Sequence, residues 1–267
     1  LRVEFTTQDG IVTAVNDLNF SLEQGETLGI VGESGSGKST FLHIASLLDH
    51  FDEGEVLFNN TDISKLKDKE KSSIRNKNFG FVYQSHLLLQ EFSVLENVLM
   101  PVLIERSIKK EDTAKALDLL EKLKITECSN KFPTELSGGQ QQRVAIARAL
   151  IQSPKIVFAD EPTGNLDPET AKTVKDLFND LIAEEGISLV IVTHDMTMAE
   201  SCDKIYHLRK KSLFVNKETA ESDTFAELSD LKTEQSKSKL SEDKDEIEAL
   251  LNDDDDDQVP KEEREIA

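Results

Sequence analysis

The chain is short of cysteine: among 267 residues there are only Cys128 and Cys202. Two thiols cannot make the disulfide framework of a small secreted protein, and reduced cytosolic thiols are the simplest reading. Long apolar runs are missing too. None approaches the ~18 residues that a membrane-spanning helix needs. No signal-peptide pattern is visible, although the chain opens at Leu1 rather than Met, which leaves the completeness of its first strand open. Basic charge is scarce, with 31 Lys+Arg against 52 Asp+Glu and a net charge of −21. A nucleic-acid partner wants a basic face to neutralise phosphates, so this balance argues against one. The length allows one large domain or two small ones.

What is present begins at residues 32–40, Gly-Glu-Ser-Gly-Ser-Gly-Lys-Ser-Thr. Residues 32–39 fit the phosphate-binding pattern G-x-x-x-x-G-K-[ST]. Ahead of it, Thr27-Leu28-Gly29-Ile30-Val31 suits a buried parallel strand, and residues 41–48 can continue as a helix. Gly32, Gly35 and Gly37 let the backbone approach phosphate oxygens closely. The N–H groups of the helix start, around Ser34 to Thr40, would then point at an anion. Lys38 supplies a point charge for β- and γ-phosphates, and Ser39 a hydroxyl for Mg2+. A chance Gly-rich turn would not also carry three glycines, the Lys-Ser pair and these flanks. The loop alone defines only a P-loop nucleotide binder. A GTPase would need its own base-reading motif, and none is found.

Three further apolar runs end in polar groups. Residues 156–161, Ile-Val-Phe-Ala-Asp-Glu, read as a buried strand with two acids at its carboxyl end, where open α/β sheets bind ligands. Asp160 is placed to orient Mg2+ and Glu161 to act as general base, a role worth about 10²–10⁴ in rate. The bland alternative is a solvated turn before Pro162. Residues 188–193 form a third strand pattern ending at His194, which either is structural or reaches a γ-phosphate and steadies Glu161. Residues 79–83 form a fourth, followed by Gln84, a neutral group that could contact Mg2+ or water or simply face solvent.

Residues 136–148 read Leu-Ser-Gly-Gly-Gln-Gln-Gln-Arg-Val-Ala-Ile-Ala-Arg. Ser137 can N-cap the helix that follows, and Gly138 and Gly139 expose backbone N–H groups beside it, a second anion cradle. With this segment on the page, residues 3–215 resemble the nucleotide-binding subunit of an ATP-binding cassette transporter. Walker A is residues 32–40, the Q-loop residue Gln84, and the signature residues 136–140 from Leu136 to Gln140. Walker B is residues 156–160 followed by Glu161, the D-loop residues 164–167 ending at Asp167, and the switch histidine His194. The resemblance implies an ATPase using ATP and Mg2+, with Ser39, Gln84 and Asp160 as metal contacts and Glu161, His194 and Gln84 as catalytic groups. It implies that Ser137, Gly138, Gly139, Gln140 and Asp167 serve the nucleotide of a second, head-to-tail copy. It also implies docking on two integral membrane subunits at the cytoplasmic face of the bacterial inner membrane. Phe5 stands where the family has an adenine-stacking aromatic; it either stacks or packs an edge strand.

Residues 75–89 and 92–104, with Ala159 to Asp167, look like the LolD-type ATPase of bacterial lipoprotein-releasing systems. The macrolide-exporter (MacB-type) and cell-division (FtsE-type) ATPases share much of this pattern. Lipoprotein release toward the outer membrane is the implied output, and those mechanical relatives are the alternative. A non-transport cassette fits less well. DNA-repair cassettes separate Walker A from the signature by a long coiled coil, ribosome-associated ones carry two cassettes, and a binding-only cassette would not need Glu161 and His194.

The implied fold is α/β: a P-loop core with a mixed sheet, an N-terminal antiparallel β portion and a helical subdomain inserted at about residues 85–150. Residues 111–123 carry a broad apolar face suited to that subdomain. Leu87, Leu88, Leu89, Phe92 and Leu99 are candidates for the groove that receives a membrane subunit, or are ordinary helix packing. The cassette is expected over residues 1–216. Residues 217–267 hold 19 Asp+Glu against 7 Lys+Arg, a net −12 of the total −21, and no Gly. Such a tail is expected to be disordered, with a short helix possible at residues 240–251. It is either a solubilising extension or a docking or regulatory element.

Overall fold

The structure is a computed structural model that describes residues 3–7, 10–15, 18–209 and 212–215. The acidic tail and its possible helix lie outside the described residues, as does the side chain of Phe5.

The centre is a six-stranded sheet of order β10-β9-β3-β8-β7-β6. Its strands are β3 (Thr27–Val31), β6 (Phe79–Tyr83), β7 (Ile156–Asp160), β8 (Ser188–Thr193), β9 (Lys204–Arg209) and β10 (Ser212–Val215). Neighbours run parallel from β9 to β6, while β10 pairs antiparallel with β9, so the sheet is mixed. The four apolar runs of the sequence are its central strands and the β6 edge. β8 is buried at every position, as expected of a strand covered on both faces. Side chains alternate between the two faces with period two. Val157, Ala159, Leu189 and Ile191 enter one core. Phe158, Val190, Val192, Leu28 and Ile30 enter the other.

The second core is closed by α1 (Lys38–Ala45), through Phe41, Leu42 and Ile44. Phe79 and Phe158 meet there edge to face, with ring centroids 5.3 Å apart. The helix ends earlier than the apolar run 41–48 predicts, because Leu47 turns to φ 61° and the chain leaves the helical path. Two pairs of strands stand apart from the main sheet and are each antiparallel: β1 (Val3–Thr7) with β2 (Gly10–Val15), and β4 (Leu57–Phe58) with β5 (Thr61–Asp62). A polar helix, α2 (Asp68–Asn78), leads into β6.

The first core belongs to the helices of the inserted segment: α3 (Val94–Glu105), α4 (Lys110–Lys122) and α5 (Gly138–Leu150). Ser93 and Glu96 form a capping box at the start of α3. Ala116, Leu119 and Leu120 are the buried stripe of α4. Two more helices finish the layer. α6 (Pro168–Glu185) has Asp167 as N-cap, Pro168 in its first turn and a left-handed Gly186 as C-cap. The short α7 (Met196–Ala199) follows β8 and is capped by Asp195. Cys128 is fully buried in this core, and burial, with Glu127 beside it, raises its thiol pKa. Cys202 packs against the same core, and burial pushes its thiol up to about 11.

Candidate nucleotide site

The parallel order β3-β8-β7-β6 puts the carboxyl ends of four strands side by side. Lys38 and Ser39 follow β3, His194 follows β8, Asp160 and Glu161 end β7, and Gln84 follows β6. Residues more than 150 positions apart in the chain thus share one sheet edge.

Residues 32–37 form the loop between β3 and α1. Gly35 and Gly37 take φ of 78° and 102°, so each occupies a region that a Cβ disfavours. Gly37 is the N-cap of α1, no side chain caps this helix, and its first turn holds no acid. The N–H groups of Lys38, Ser39 and Thr40 are therefore left to an anion. The Lys38 ammonium is nearly buried and donates to the carbonyls of Gly32 at 2.8 Å and Glu33 at 2.9 Å. An ammonium has three protons, so one remains for an incoming oxygen. The hydroxyl of Ser36 is buried without a partner beside it. A loop with spare donors and a buried cation, leading into a helix turn without an acid, suits a polyphosphate.

Burial raises the Asp160 carboxyl above its usual range, and Glu161 adds to the rise; the Ser39 hydroxyl, His43 and Lys38 pull it down. A half-buried carboxylate, a second acid next to it and a hydroxyl bonded to it form an all-oxygen donor set with excess negative charge. That chemistry fits Mg2+.

Glu161 is bound tightly on one side only. Its Oε2 accepts from the Thr193 hydroxyl at 3.0 Å and the His194 backbone N–H at 3.2 Å, and lies 2.9 Å from His194 Nδ1. All three described contacts fall on one oxygen and leave Oε1 for proton transfer. Its backbone sits at φ 45° and donates its N–H to the Val192 carbonyl at 2.9 Å. A non-glycine residue in this region is uncommon, and such strain concentrates where a side chain must be aimed. Thr193 was not among the residues the sequence singles out; its position as the last residue of a strand ending at the acids is the signal that could have found it.

The signature lies at the start of α5. Ser137 is the N-cap of α5; its Oγ accepts from the Gln140 N–H at 3.3 Å, and its own N–H donates to Gln140 Oε1 at 3.0 Å. The contacts described for this helix start run toward α6. A Cβ on Gly139 would lie 2.3 Å from Thr170 Cγ2, so close packing accounts for the second glycine. Asp167 accepts from the Thr170 N–H at 3.1 Å, and bonding from Thr170 holds its carboxyl below the usual range. Among the groove candidates, Leu88 and Leu99 join the core, whereas Leu87 is 56%, Leu89 40% and Phe92 37% exposed. His86 and Leu87 take positive φ. Their carbonyls accept from the Arg148 guanidinium at 2.8 and 2.6 Å.

A parallel sheet with a phosphate loop after one strand and two carboxylates after another defines the class as a P-loop nucleotide hydrolase. The comparisons narrow it. The sequence profile of the ABC transporter family matches residues 15–164. The chain is 46% identical over 213 residues to the lipoprotein-releasing system ATP-binding protein LolD of Treponema denticola, covering 80% of this chain and 94% of the relative. It is 48% identical over 203 residues to the LolD of Pseudoalteromonas translucida, covering 75% and 88%. Among solved structures, dimeric MJ0796, a bacterial ABC transporter cassette, matches with TM-score 0.74 and 38% identity, covering 79% of this chain and 93% of that one. A post-hydrolysis state of MJ0796 bound to ADP and Pi matches with TM-score 0.73 and 37% identity over the same shares, 79% and 93%. The chain belongs to the ABC transporter family and carries its ATP-binding, ATP-hydrolysing cassette. Among the described residues no helix is long and apolar enough to cross a membrane.

Proposed function

We propose that this chain is the ATPase of a bacterial lipoprotein-releasing transporter. In this reading it works as a head-to-tail homodimer on the cytoplasmic face of the inner membrane, bound to two integral membrane subunits. The lipoprotein-releasing assignment is supported by its LolD relatives. The dimer is supported by the dimeric state of MJ0796 and by the signature, a second glycine-rich helix start. Residues 1–216 form the cassette in this reading, with the helical insertion at about 85–150, and residues 217–267 a separate acidic tail.

The observation that carries the hydrolytic reading is Glu161, held on Oε2 by two hydrogen bonds with the His194 ring beside it, and open on Oε1. Lys38 and the free N–H groups of α1 hold the β- and γ-phosphates. Ser39, Asp160 and Gln84 hold Mg2+, which supplies charge neutralisation of the phosphates when bound. Glu161 takes the proton of the attacking water, and Thr193 and His194 keep its carboxylate aimed. Ser137, Gly138 and Gly139 of the second copy reach the γ-phosphate from the other side. Phe5, on β1 upstream of the loop, is the residue proposed to stack on adenine.

Glu161→Gln removes the base and keeps the shape. Turnover is expected to fall by about 10²–10⁴ while ATP binding persists and a closed dimer accumulates. Single-turnover phosphate release and gel filtration with ATP check this, and phosphate release at the normal rate would refute the base. For the cargo, the membrane proteins that copurify decide: lipoprotein-releasing subunits support the assignment, and macrolide-exporter or division-type partners replace it.

A further inference from the structure

Gln84 carries a side-chain amide with one donor end and one acceptor end. Only the oxygen can contact a cation or accept from a water, so the way the amide is turned decides whether it serves the site. Its surroundings fix that choice. The backbone carbonyl of Gln84 can only accept, and it accepts from Asn165 Nδ2 at 3.0 Å. That commits the other end of the Asn165 amide, Oδ1, to accept. Gln84 Nε2 donates to it at 2.9 Å. The backbone carbonyl thus sets the Asn165 amide, which sets the Gln84 amide, and Gln84 Oε1 is left outside the pair. The logic follows from donor and acceptor counting, whichever way either amide is drawn.

Gly164 lies close beside the pair. A Cβ on Gly164 would lie 2.8 Å from Gln84 Nε2 and 3.4 Å from the Glu161 carbonyl. The Gly164 N–H donates to that same carbonyl at 3.0 Å. Gly164 therefore lets Asn165 reach across 81 positions of sequence to Gln84 while staying tied to Glu161.

We propose that Asn165 is a positioning residue that orients the Gln84 amide so that its oxygen, not its nitrogen, faces the metal and water. This rests on the proposed role of Gln84 in holding Mg2+. Loss of such an outer partner typically costs about 10–100-fold in metal affinity or activity.

The test uses the purified full-length chain. Asn165→Leu keeps the bulk and removes both hydrogen bonds; Asn165→Ala removes the bulk as well and guards against a packing artefact. Each is made alone and with Gln84→Ala. Two quantities are read: the Mg2+ concentration for half-maximal ATP hydrolysis, and Mn2+ binding to the ATP-loaded protein by electron paramagnetic resonance. Both Asn165 variants are expected to need ~10-fold more Mg2+ and to bind Mn2+ ~10-fold more weakly. In the Gln84→Ala background neither should shift these values further. If Gln84→Ala weakens metal binding but the Asn165 variants do not, or do so equally without Gln84, positioning by Asn165 is wrong and the metal role of Gln84 stands. If Gln84→Ala leaves metal dependence unmoved, that role fails and the positioning falls with it.

Discussion

Two helices in this protein begin at glycine-rich anion cradles, and they begin differently. α1 starts from Gly37 with no side-chain cap and no acid in its first turn. α5 starts from Ser137, whose hydroxyl and N–H are already engaged by Gln140. An uncapped helix start is costly unless something fills it, so α1 is built around its ligand. A capped start is stable by itself, so α5 keeps its shape with or without an anion and offers only the N–H groups of its first residues. The difference fits the proposed division of labour, in which one cradle binds nucleotide and the other senses it.

The largest effects should separate the two. Lys38→Ala is expected to abolish both ATP binding and turnover, because the buried ammonium has no substitute. Ser137→Arg is expected to abolish turnover while leaving nucleotide binding largely intact. Fluorescent-nucleotide titration beside an ATPase assay checks this, and equal loss of both in the Ser137 variant would break the comparison. A smaller effect concerns stability at the same sheet edge. Burial raises the Asp160 carboxyl, so its ionised form opposes folding above that raised pKa, and the penalty is relieved as pH falls through it. Asp160→Asn should therefore raise the melting temperature of the nucleotide-free chain at pH 7 by ~2 °C, while removing Mg2+-dependent turnover. A lower melting temperature would mean that the carboxylate is paid back by partners within the fold. The smallest effect sharpens the capping half. Ser137→Ala should cost about 1 kcal/mol of stability, read by urea unfolding, because the Gln140 N–H loses its acceptor. The equivalent Gly37→Ala comparison should instead report backbone strain, since φ is 102° there.

Sequence and structure meet most closely where side-chain pattern and backbone state coincide. β3, β6, β7 and β8 are apolar runs because helices cover both faces of the sheet, and such runs are readable. β9, Lys-Ile-Tyr-His-Leu-Arg, mixes polar and apolar residues near the sheet edge and gives no such run. α2 has no buried residue, so no apolar stripe announces it. The phosphate loop, the paired acids and the capping serine were legible for a related reason: each is local, with its chemistry written in consecutive residues. The clasp of Glu161 by Thr193 and of Gln84 by Asn165 was not, because the partners lie 32 and 81 positions apart and meet only after the strands align. Which of the groove candidates face outward was legible only in part. A leucine-rich run does not say which members turn outward, and Leu88 and Leu99 turned into the core.

The two cysteines offer an experimental handle. The thiolate, not the thiol, reacts with maleimides and disulfides. With its pKa pushed to about 11, Cys202 at pH 7.5 is ionised in only about one molecule in a few thousand. Cys128 is sealed within the core, its pKa raised as well. The native chain is thus close to silent toward thiol reagents under mild conditions. A cysteine placed at Ser34 and another at Ser137 would stand out against that background. Their cross-linking between two copies, dependent on ATP, could be measured without first stripping the protein of its own sulfur.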